Sequence, residues 1–410
     1  MRRLLFLAHR IPFPPNKGDK IRSYNVLRHL AQDFDVRLGA FVDDPDDLAY
    51  VDALRETCSE VFAEPLHGRI KRLLSAGGLL TGEPLSVRYF RSRAMRHWVA
   101  CTLAEFQPAA VFVFSSTMAQ YVMPRPCGDP LLICDMVDVD SAKWTQYASE
   151  AGPLTRAVFA REGRTLAAYE RRVVARFDAT TFVSDEEREV YLAGDAAASN
   201  RVHAFRNGVD LAYFDPGQQH ASPYDEAVRA VVFTGAMDYR ANVDAVTWYA
   251  EHVHPQVCDR APETRFFIVG SNPTAEVQRL GRRPGIVVTG RVDDIRPYLS
   301  HAHCVVAPLR VARGLQNKVL EAMALERPLV VTPAAIEGIP HEPSPRLRVC
   351  ASADDYAAAV IDTATADENA LKGPSSRQVI ERHFSWDANL AVLDRLLCPV
   401  AGTPASDTHA

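Results

Sequence analysis

The stretch VVAPLRVARGLQNKVLEAMALERPLVVT, residues 305–332, predicts one unit of a parallel α/β sheet. Two short apolar runs flank a loop that contains Gly314 and a segment, Gln316 to Leu325, with helical periodicity. A strand, a helix and a second strand in this order form the connection that parallel strands require. Ligands of such sheets bind beyond the carboxyl ends of the strands, so the loop at 308–316 is the first candidate site.

The same alternation of short apolar runs and helical patterns continues through the chain and predicts two domains. The strands predicted for the first domain are Arg3 to His9, Val36 to Phe41, Val61 to Pro65, Val111 to Phe114, Leu131 to Met136 and Thr180 to Ser184. Those predicted for the second are Val231 to Thr234, Arg265 to Val269, Ile286 to Thr289, Cys304 to Ala307 and Leu329 to Thr332. We therefore expect an α/β fold of two doubly wound, Rossmann-like parallel sheets that face each other across a cleft.

Composition along the chain predicts the domain boundaries. Residues 1–206 form the first expected domain, which a C-terminal helix at 386–398 completes, and residues 226–385 form the second. The segment 207–225 contains Pro216, Gly217 and Pro223 and little periodicity, which is typical of a linker. The tail at 399–410 is expected to be disordered.

The overall composition excludes several classes of protein. With 410 residues, 47% of them hydrophobic and 24% charged, the chain is long enough for two cores and too apolar to be disordered. A net charge of -5 argues against a general nucleic-acid binder, and we expect no nucleic-acid partner. The eight cysteines are scattered without a C-x-x-C pair, which argues against a disulfide framework or a zinc site and favours the cytoplasm. No apolar run reaches the ~20 residues of a membrane-spanning helix, so we expect any membrane contact to be peripheral, at the inner face of the cytoplasmic membrane.

Polar side chains on one side of the predicted helix form a candidate nucleotide site. Asn317, Lys318 and Glu321 share this side, opposite an apolar stripe. Gly314 allows close backbone approach at the helix start, where unpaired N–H groups favour phosphate, and Lys318 adds a positive charge. Glu321 can accept hydrogen bonds from two adjacent hydroxyls, as a ribose offers. The alternative is a surface ion pair between Lys318 and Glu321, and the helix alone does not decide between the two.

The segment NKVLEAMA at 317–324, followed by PLVV at 328–331, resembles the signature of the retaining glycosyltransferases of family 4, the glycosyltransferase group 1 proteins with the GT-B fold. Four other segments agree in order and spacing with motifs of that family. They are PPNKGDK at 14–20, FRNGVD at 205–210, GAMDYRAN at 235–242 and GRVDDI at 290–295. With DMVDVDS at 135–141, the chain is most similar to the sugar transferases associated with PEP-CTERM and exosortase systems.

This resemblance implies transfer of a sugar from a nucleotide diphosphate sugar, with retention at the anomeric carbon. The implied acceptor is a glycan or a lipid-diphosphate-linked glycan in exopolysaccharide biosynthesis, and neither a metal nor another cofactor is expected. Lys318 and Arg240 would neutralise the donor diphosphate, Glu321 would hold the donor ribose, and Asn207 would lie between the domains. The other residues implied in donor binding are Gly235, Gly314, Leu315 and Asn317.

One position departs from the family pattern. The family usually has a second glutamate eight positions before the ribose-binding one, where this chain has Arg313. Either Arg313 binds the diphosphate or an acidic sugar, or the loop is shifted and Arg313 points to solvent. We expect Arg313 to lie within reach of the donor.

The first domain is expected to hold the acceptor. Asp138 follows a buried strand and is the catalytic candidate on this side, since a carboxylate there can position an acceptor hydroxyl. Ser141 is expected to cap the next helix. Gly18 and Lys20 lie at the helix start after the first strand, where we expect contact with the donor phosphate. For Lys20 the alternative is an ordinary surface charge.

A basic segment between positions 69 and 96 predicts a further contact. Its seven basic residues stand against a single acidic one, Glu83. They are Arg69, Lys71, Arg72, Arg88, Arg91, Arg93 and Arg96. With leucines between them, they favour an anionic membrane surface or a lipid diphosphate, and a solvated helix face is the alternative.

Two other functions remain open at this stage. A sugar-nucleotide epimerase on a related two-domain fold would need acid and base side chains in place of an acceptor site. A non-catalytic relative that only binds nucleotide sugars is suggested by Arg313 alone.

Overall fold

The computed structural model of the chain describes residues 1–397 except 16, 69–70, 72–74, 76, 124–126, 151, 313 and 368–369. The predicted tail at 399–410 lies outside the described residues. The chain divides into two compact units, the first made of Met1–Arg206 with the chain from Asn389 onward and the second of Asn207–Ala388. The predicted linker at 207–225 therefore begins the second unit, and the C-terminal helix, Trp386–Leu397, begins in the second unit and continues in the first.

The first unit contains a seven-stranded parallel sheet in the order β3-β2-β1-β4-β5-β6-β7. Its strands are β1 (Arg2–Ala8), β2 (Phe34–Val42), β3 (Glu60–Pro65), β4 (Ala110–Phe114), β5 (Leu131–Val137), β6 (Ala179–Phe182) and β7 (Val202–Ala204). β1 is an interior strand, and its consecutive apolar residues from Leu4 to Ala8 are fully buried, as both faces of a parallel sheet require.

Helices connect these strands in the first unit. The α-helices are Gly18–Asp33, Val51–Arg55, Gly78–Thr81, Leu85–Tyr89, Arg93–Glu105, Asp140–Glu150, Pro153–Arg176 and Asp185–Leu192. Short 3-10 helices cover Pro45–Tyr50, Ser116–Tyr121 and Ala196–Ala198.

The second unit contains a six-stranded parallel sheet in the order β10-β9-β8-β11-β12-β13. Its strands are β8 (Arg229–Thr234), β9 (Thr264–Val269), β10 (Ile286–Gly290), β11 (Cys304–Ala307), β12 (Leu329–Val331) and β13 (Leu347–Val349). Its α-helices are Arg240–Trp248, His254–Arg260, Ala275–Leu280, Arg296–Ser300, Asn317–Ala324, Pro333–Ile336, Ala353–Thr365 and Ser376–His383, with a π-helical turn at Tyr249–Val253.

The strand orders confirm two doubly wound parallel sheets. In each sheet the chain builds outward in one direction and then returns to the other side of its first strand, so β1 neighbours β4 and β8 neighbours β11. At such a reversal the loops leave in opposite directions and open a crevice at the carboxyl ends of the strands. The two crevices are therefore the places where each unit can bind a ligand.

Two short strands were absent from the sequence prediction. β7 and β13 have three residues each and are only partly buried, so they lack the apolar run that marks the other strands. The predicted helix Gln316 to Leu325 is one residue shorter at each end, because Gln316 and Leu325 are its capping positions.

Candidate functional site

Glycines end three neighbouring strands of the second unit, and we call this place the glycine edge. Gly235, Gly270 and Gly290 follow or end β8, β9 and β10, and all three have positive φ. A Cβ atom on Gly270 would lie 1.7 Å from the carbonyl oxygen of Gly235, so these two backbones approach in a way that only glycine permits. At these three positions the mouth of the crevice is therefore lined by backbone atoms rather than by side chains.

Asn242 connects the glycine edge to the helix Asn317–Ala324. Its Nδ2 donates to the carbonyl oxygen of Ala236 at 2.9 Å, and its Oδ1 accepts from Lys318 Nζ at 3.0 Å. A Cβ atom on Gly235 would lie 2.7 Å from this Nδ2, so the glycine makes room for the amide. The sequence motif contained Asn242, but only the fold shows that it positions Lys318.

Lys318 and Glu321 lie on the partly covered side of their helix, as predicted. Lys318 Nζ is 5.1 Å from the centre of the Phe233 ring, and burial lowers the pKa of Lys318 to about 8, against the opposing effect of Glu321. Burial likewise raises the pKa of Glu321 to about 7, although Lys318 acts in the opposite direction. Burial therefore costs free energy in the charged form of each side chain, and a ligand that offers complementary groups would reduce this cost.

The surface ion pair between Lys318 and Glu321 does not form. Lys318 donates to Asn242, and among the described residues no hydrogen-bond donor contacts the Glu321 carboxylate. The helix start also lacks a side-chain cap, since the side chain of its capping residue, Gln316, bonds none of the first N–H groups. An uncapped helix start beside a lysine can bind a phosphate, and a carboxylate without a donor can accept from the two hydroxyls of a diol. The two together are typical of a site for a ligand that contains both groups.

The loop at 308–316 packs on the same edge. Arg310 forms an ion pair with Asp244 of the helix Arg240–Trp248, with Nε 3.0 Å from Oδ2. Gly314 is exposed with φ of 64°, and Leu315 lies near Gly338, whose added Cβ would be 3.5 Å from Leu315 Cδ2. Arg313 lies outside the described residues, so its predicted contact with the donor stays a prediction.

Arg240 is the first residue of its helix and is exposed, two positions before Asn242. No side chain caps the start of this helix either. The structure thus brings Gly235, Lys318 and Glu321 to one edge and places Arg240 at the start of the helix that follows Gly235. Asn317 begins the other helix, and Asn207 begins the second unit. The roles implied for these last two residues remain predictions.

In the first unit a group of charged residues lies at the carboxyl ends of β1 and β2, and we call it the His9 cluster. Arg10 Nη1 donates to Asp19 Oδ2 at 2.7 Å, and Arg10 Nε is 3.0 Å from Asp43 Oδ2. His9 Nε2 is 3.4 Å from the same Asp19 oxygen. Burial raises the pKa of Asp19, but His9 and Arg10 outweigh it and hold that pKa well below its usual range.

The His9 cluster was not predicted from the sequence. The sequence does contain a signal for this cluster, because charged residues follow neighbouring strands. His9 follows β1, Asp43 follows β2, and Asp19 lies in the first turn of the helix that begins at Gly18. The His9 ring stacks on Phe114, the last residue of β4, with ring centres 5.6 Å apart. The cluster therefore lies at the crevice between β1 and β4.

Lys20 does not have the surface position considered from sequence. Its side chain is 1% exposed and forms an ion pair with Asp47, whose side chain is 3% exposed. The assignment of Lys20 to a donor phosphate would need this buried pair to open. Neighbouring Arg22 is equally buried and binds Asp135, with Nε 2.7 Å from Oδ2.

Asp138 lies at the carboxyl end of β5, where it accepts from Lys143 Nζ at 2.6 Å. Lys143 also lies 3.3 Å from Asp140, and burial raises the pKa of Asp140. The cap predicted for Ser141 is wrong. The helix begins at Asp140, and the Ser141 backbone N–H and hydroxyl both donate to the buried carboxylate of Glu170.

Within the described part of the basic segment at 69–96, several cations have internal partners. Glu83 accepts from Arg88 Nη1 at 3.1 Å and from Arg91 Nη2 at 2.7 Å, and Lys71 Nζ donates to the Arg91 carbonyl oxygen at 2.5 Å. Arg69 and Arg72 lie outside the described residues, while Arg93 and Arg96 are exposed on one helix.

Other kinds of site find no support in the described residues. Across the described ranges, no three His, Cys, Asp or Glu side chains gather as metal ligands. In the same ranges every helix is too short or too polar to cross a bilayer.

The fold is the two-domain GT-B fold of glycosyltransferases, because solved structures of this class match both sheets. Sucrose-phosphate synthase from Thermosynechococcus elongatus has 15% identity and a TM-score of 0.65, with 97% of this chain and 98% of that chain covered. Anabaena HepE in complex with UDP and glucose has 13% identity, a TM-score of 0.63, and coverage of 97% and 99%. WaaG, a glycosyltransferase involved in lipopolysaccharide biosynthesis, has 16% identity, a TM-score of 0.62, and coverage of 97% and 100%.

Residues 228–365 match the sequence profile of the family described as glycosyl transferases group 1. The second unit, with the glycine edge and Glu321, therefore contains a glycosyl transferases group 1 domain. No curated protein sequence matches the chain.

Proposed function

We propose that the chain is a retaining glycosyltransferase that moves a sugar from a nucleotide diphosphate sugar to a glycan or lipid-linked glycan acceptor. The proposal places it in exopolysaccharide biosynthesis, in the group associated with PEP-CTERM and exosortase systems. The second unit would bind the donor and the first unit the acceptor.

One observation carries the proposal. Glu321 is a half-buried residue whose carboxylate has no hydrogen-bond donor among the described residues. It lies three positions after Lys318, whose ammonium group donates to Asn242. A nucleotide diphosphate supplies both missing partners, since its ribose hydroxyls donate to a carboxylate and its phosphates accept from a cation. The group 1 domain at 228–365 includes all of these residues.

The chemistry needs positive charge where the nucleotide diphosphate leaves. Negative charge develops on the diphosphate as the glycosidic bond breaks, and fixed donors aimed at it stabilise the transition state selectively. Lys318, Arg240 and the uncapped start of the helix Asn317–Ala324 would supply that charge. Because this chain's own groups provide it, we propose that the transfer needs no metal ion.

On the acceptor side the proposal uses the carboxyl edge of the first sheet. The His9 cluster and Asp138 present carboxylates and an imidazole that can bind the hydroxyls of a sugar. WaaG, one protein of this fold, is a glycosyltransferase involved in lipopolysaccharide biosynthesis. The peripheral membrane contact predicted for residues 69–96 is part of the same proposal, with Arg93 and Arg96 as its exposed cations.

Nucleotide binding gives the first test. UDP, GDP, ADP and dTDP are titrated by calorimetry against the full chain and against Glu321→Gln, with the exposed Glu226→Gln as the matched control. We expect one nucleotide to bind and Glu321→Gln to weaken it by about 10- to 100-fold, since hydrogen bonds to a charged group are lost. Unchanged affinity in Glu321→Gln would contradict the proposal.

Product analysis gives the second test. The nucleotide sugar that binds best is incubated with lipid-linked and free glycan acceptors, and the anomeric configuration of the product is read by NMR. The α anomer from an α-linked donor supports retention, and the β anomer contradicts it. An epimerised donor formed without any acceptor would instead support the epimerase, and absence of any turnover would support a binding protein.

A further inference from the structure

The backbone of β5 is irregular just before Asp138. Asp135 of β5 lies opposite Thr181 of β6. Val137 lies opposite the next residue of β6, so β5 contains one extra residue, Met136. Val137 also has φ of 69°, a strained conformation for a β-branched side chain. A bulge at the end of a strand redirects the residue that follows it, which here is Asp138.

Three carboxylates hold the backbone of residues 137–141, which we call the Asp138 loop. They come from β5 itself and from the helices Asp185–Leu192 and Pro153–Arg176. The bonds are Val137 N–H to Asp135 Oδ1 at 3.2 Å, Val139 N–H to Glu187 Oε2 at 2.7 Å and Ser141 N–H to Glu170 Oε1 at 3.1 Å. A strained residue persists only where its surroundings fix it, and these bonds fix the chain on both sides of Asp138.

The first of these carboxylates, Asp135, is itself fixed by Arg22. Both side chains are fully buried, and Arg22 donates through Nε to Asp135 Oδ2 at 2.7 Å and through Nη2 to Oδ1 at 3.1 Å. Arg22 Nη1 donates to the carbonyl oxygen of Phe205 at 3.0 Å, and the Phe205 ring centre is 3.7 Å from Arg22 Cζ. Asp135 therefore cannot turn away from Val137 without breaking a buried ion pair.

Neither the ion pair nor the strained turn is favourable for stability alone. A buried ion pair contributes little relative to apolar side chains, because both charges lose their water, but it does fix a geometry. The oxygen that it fixes is Asp135 Oδ1, the acceptor of the Val137 N–H. Two costly features that meet at the residue before Asp138 indicate a constraint of function.

Asp138 is the side chain that this arrangement presents. It is 32% exposed, and its Oδ2 accepts from Lys143 Nζ at 2.6 Å. Among the described residues, no donor contacts its Oδ1. One oxygen is thus held by the protein, and the other can accept from a hydroxyl group of a ligand.

We propose that Arg22 and Asp135 are positioning residues for the acceptor. Through the backbone of Val137 they hold the strained turn that directs Asp138 toward an acceptor hydroxyl. The effect on the acceptor rests on the proposed function, whereas the hold on the Asp138 loop does not.

Val137→Gly and Val137→Ala test the strain. Glycine adopts a φ of 69° freely, so Val137→Gly should unfold at a denaturant concentration equal to or above that of Val137→Ala. Val190→Gly and Val190→Ala, exposed on the helix Asp185–Leu192, are the control pair, in which glycine should have the lower midpoint. The same order at Val137 as at Val190 would show that the turn is not strained.

Hydrogen exchange tests the hold on the loop. Arg22→Met with Asp135→Leu replaces the ion pair by apolar side chains, a change that buried pairs tolerate. Amide exchange at 137–141 should rise by at least about tenfold in this double variant and in Val137→Gly. Lys20→Met with Asp47→Leu, which removes the other buried pair of the same helix, should leave exchange at 137–141 unchanged. Unchanged exchange in the Arg22 and Asp135 variant would overturn the proposal.

Transfer kinetics test the effect on the acceptor. The double variant at Arg22 and Asp135 should raise the acceptor KM by about tenfold and leave the nucleotide dissociation constant unchanged, as Val190→Gly should leave both. In an Asp138→Asn background the same double variant should have no further effect, which a merely structural role would not predict. Additive effects or an unchanged KM would contradict the positioning role.

The exchange measurement separates the two proposals. A wild-type chain without transferase activity, whose Asp138 loop still loosens in the double variant, overturns only the proposed function. A chain that transfers sugar but whose variants keep the wild-type acceptor KM overturns only the positioning role.

Discussion

At the scale of single residues, Lys318 and Glu321 have a local surrounding that disfavours their own charges. Burial moves their pKa values toward each other, Lys318 down to about 8 and Glu321 up to about 7, and neither side chain neutralises the other through a direct bond. In an ion pair of the protein core, the two charged side chains would instead hydrogen-bond each other. The arrangement is therefore typical of a binding site that a ligand completes.

The affinity for the nucleotide diphosphate is expected to depend on pH. Below about pH 7 Glu321 takes up a proton and loses capacity to accept from ribose hydroxyls, and above about pH 8 Lys318 loses the proton that attracts phosphate. Affinity should thus be highest between these two values and fall on both sides. Calorimetry across this range measures it, and Glu321→Gln should flatten the acidic side only. A profile without an acidic side in the wild type would contradict the assignment.

Asn242 should matter for binding more than for stability. In Asn242→Ala the Lys318 ammonium loses its acceptor at 3.0 Å, so we expect nucleotide affinity to fall by about tenfold. Gln256→Ala, which removes an amide bonded at 3.0 Å to Asp354 in the same unit, is the matched control. Equal affinities of the two variants would show that Lys318 is positioned without Asn242.

At the scale of elements, the glycine edge depends on how closely two strand ends approach. β8 and β9 are neighbours in register from Arg229 opposite Thr264 to Thr234 opposite Val269, and their next residues are both glycines. The carbonyl oxygen of Gly235 occupies the space where any other residue at 270 would place its Cβ. Backbone contact between loops thus sets the shape of the crevice.

Gly270→Ala is expected to destabilise the second unit strongly. The added Cβ meets a backbone atom at 1.7 Å and the residue has φ of +155°, so we expect a loss of about 3 kcal/mol or more in the free energy of unfolding. Gly290→Ala separates the two causes, because Gly290 also has positive φ but no atom within 4 Å of an added Cβ. Its cost should be only about 1 to 2 kcal/mol. Denaturant unfolding measures both, and similar losses would contradict the steric explanation.

At the scale of the whole molecule, the end of the chain returns to the first unit. The helix Trp386–Leu397 begins in the second unit, yet its residues from Asn389 onward belong to the first. Arg2 Nη1 donates to the Leu397 carbonyl oxygen at 2.9 Å, and His29 Nε2 is 2.7 Å from Asp394 Oδ1. The first unit is thus built from both ends of the chain.

Leu393→Ala should therefore destabilise the first unit. Leu393 is fully buried, so we expect a loss of about 2 to 5 kcal/mol in the free energy of unfolding. Hydrogen exchange locates the effect, which should appear in the strands of the first sheet. Arg395→Ala, exposed on the same helix, should leave exchange unchanged. Faster exchange confined to the second sheet would contradict this assignment of the helix.

Much of the fold could be predicted from local patterns. Apolar runs such as Leu4 to Ala8 are buried on both faces, and their alternation with helical periodicity requires parallel sheets whatever the details of packing. The segment at 317–324 combined a strong apolar stripe with a polar side, so its helix and the partly buried side with Lys318 and Glu321 could be predicted too. β7 and β13 could not, because three partly buried residues carry too little pattern.

By itself, the sequence determined the two α/β units, the position of the glycine-rich loops and the polar side of one helix, since these follow from residues that are near each other in the chain. Only the tertiary structure decided which distant charges meet. In the fold, Lys20 forms a buried ion pair with Asp47, and His9 and Arg10 both contact the Asp19 carboxylate. Ser141 donates a hydrogen bond to Glu170. The physical reason is that strand order and helix packing select these partners. The sequence around a charged residue does not specify which distant residue it will contact.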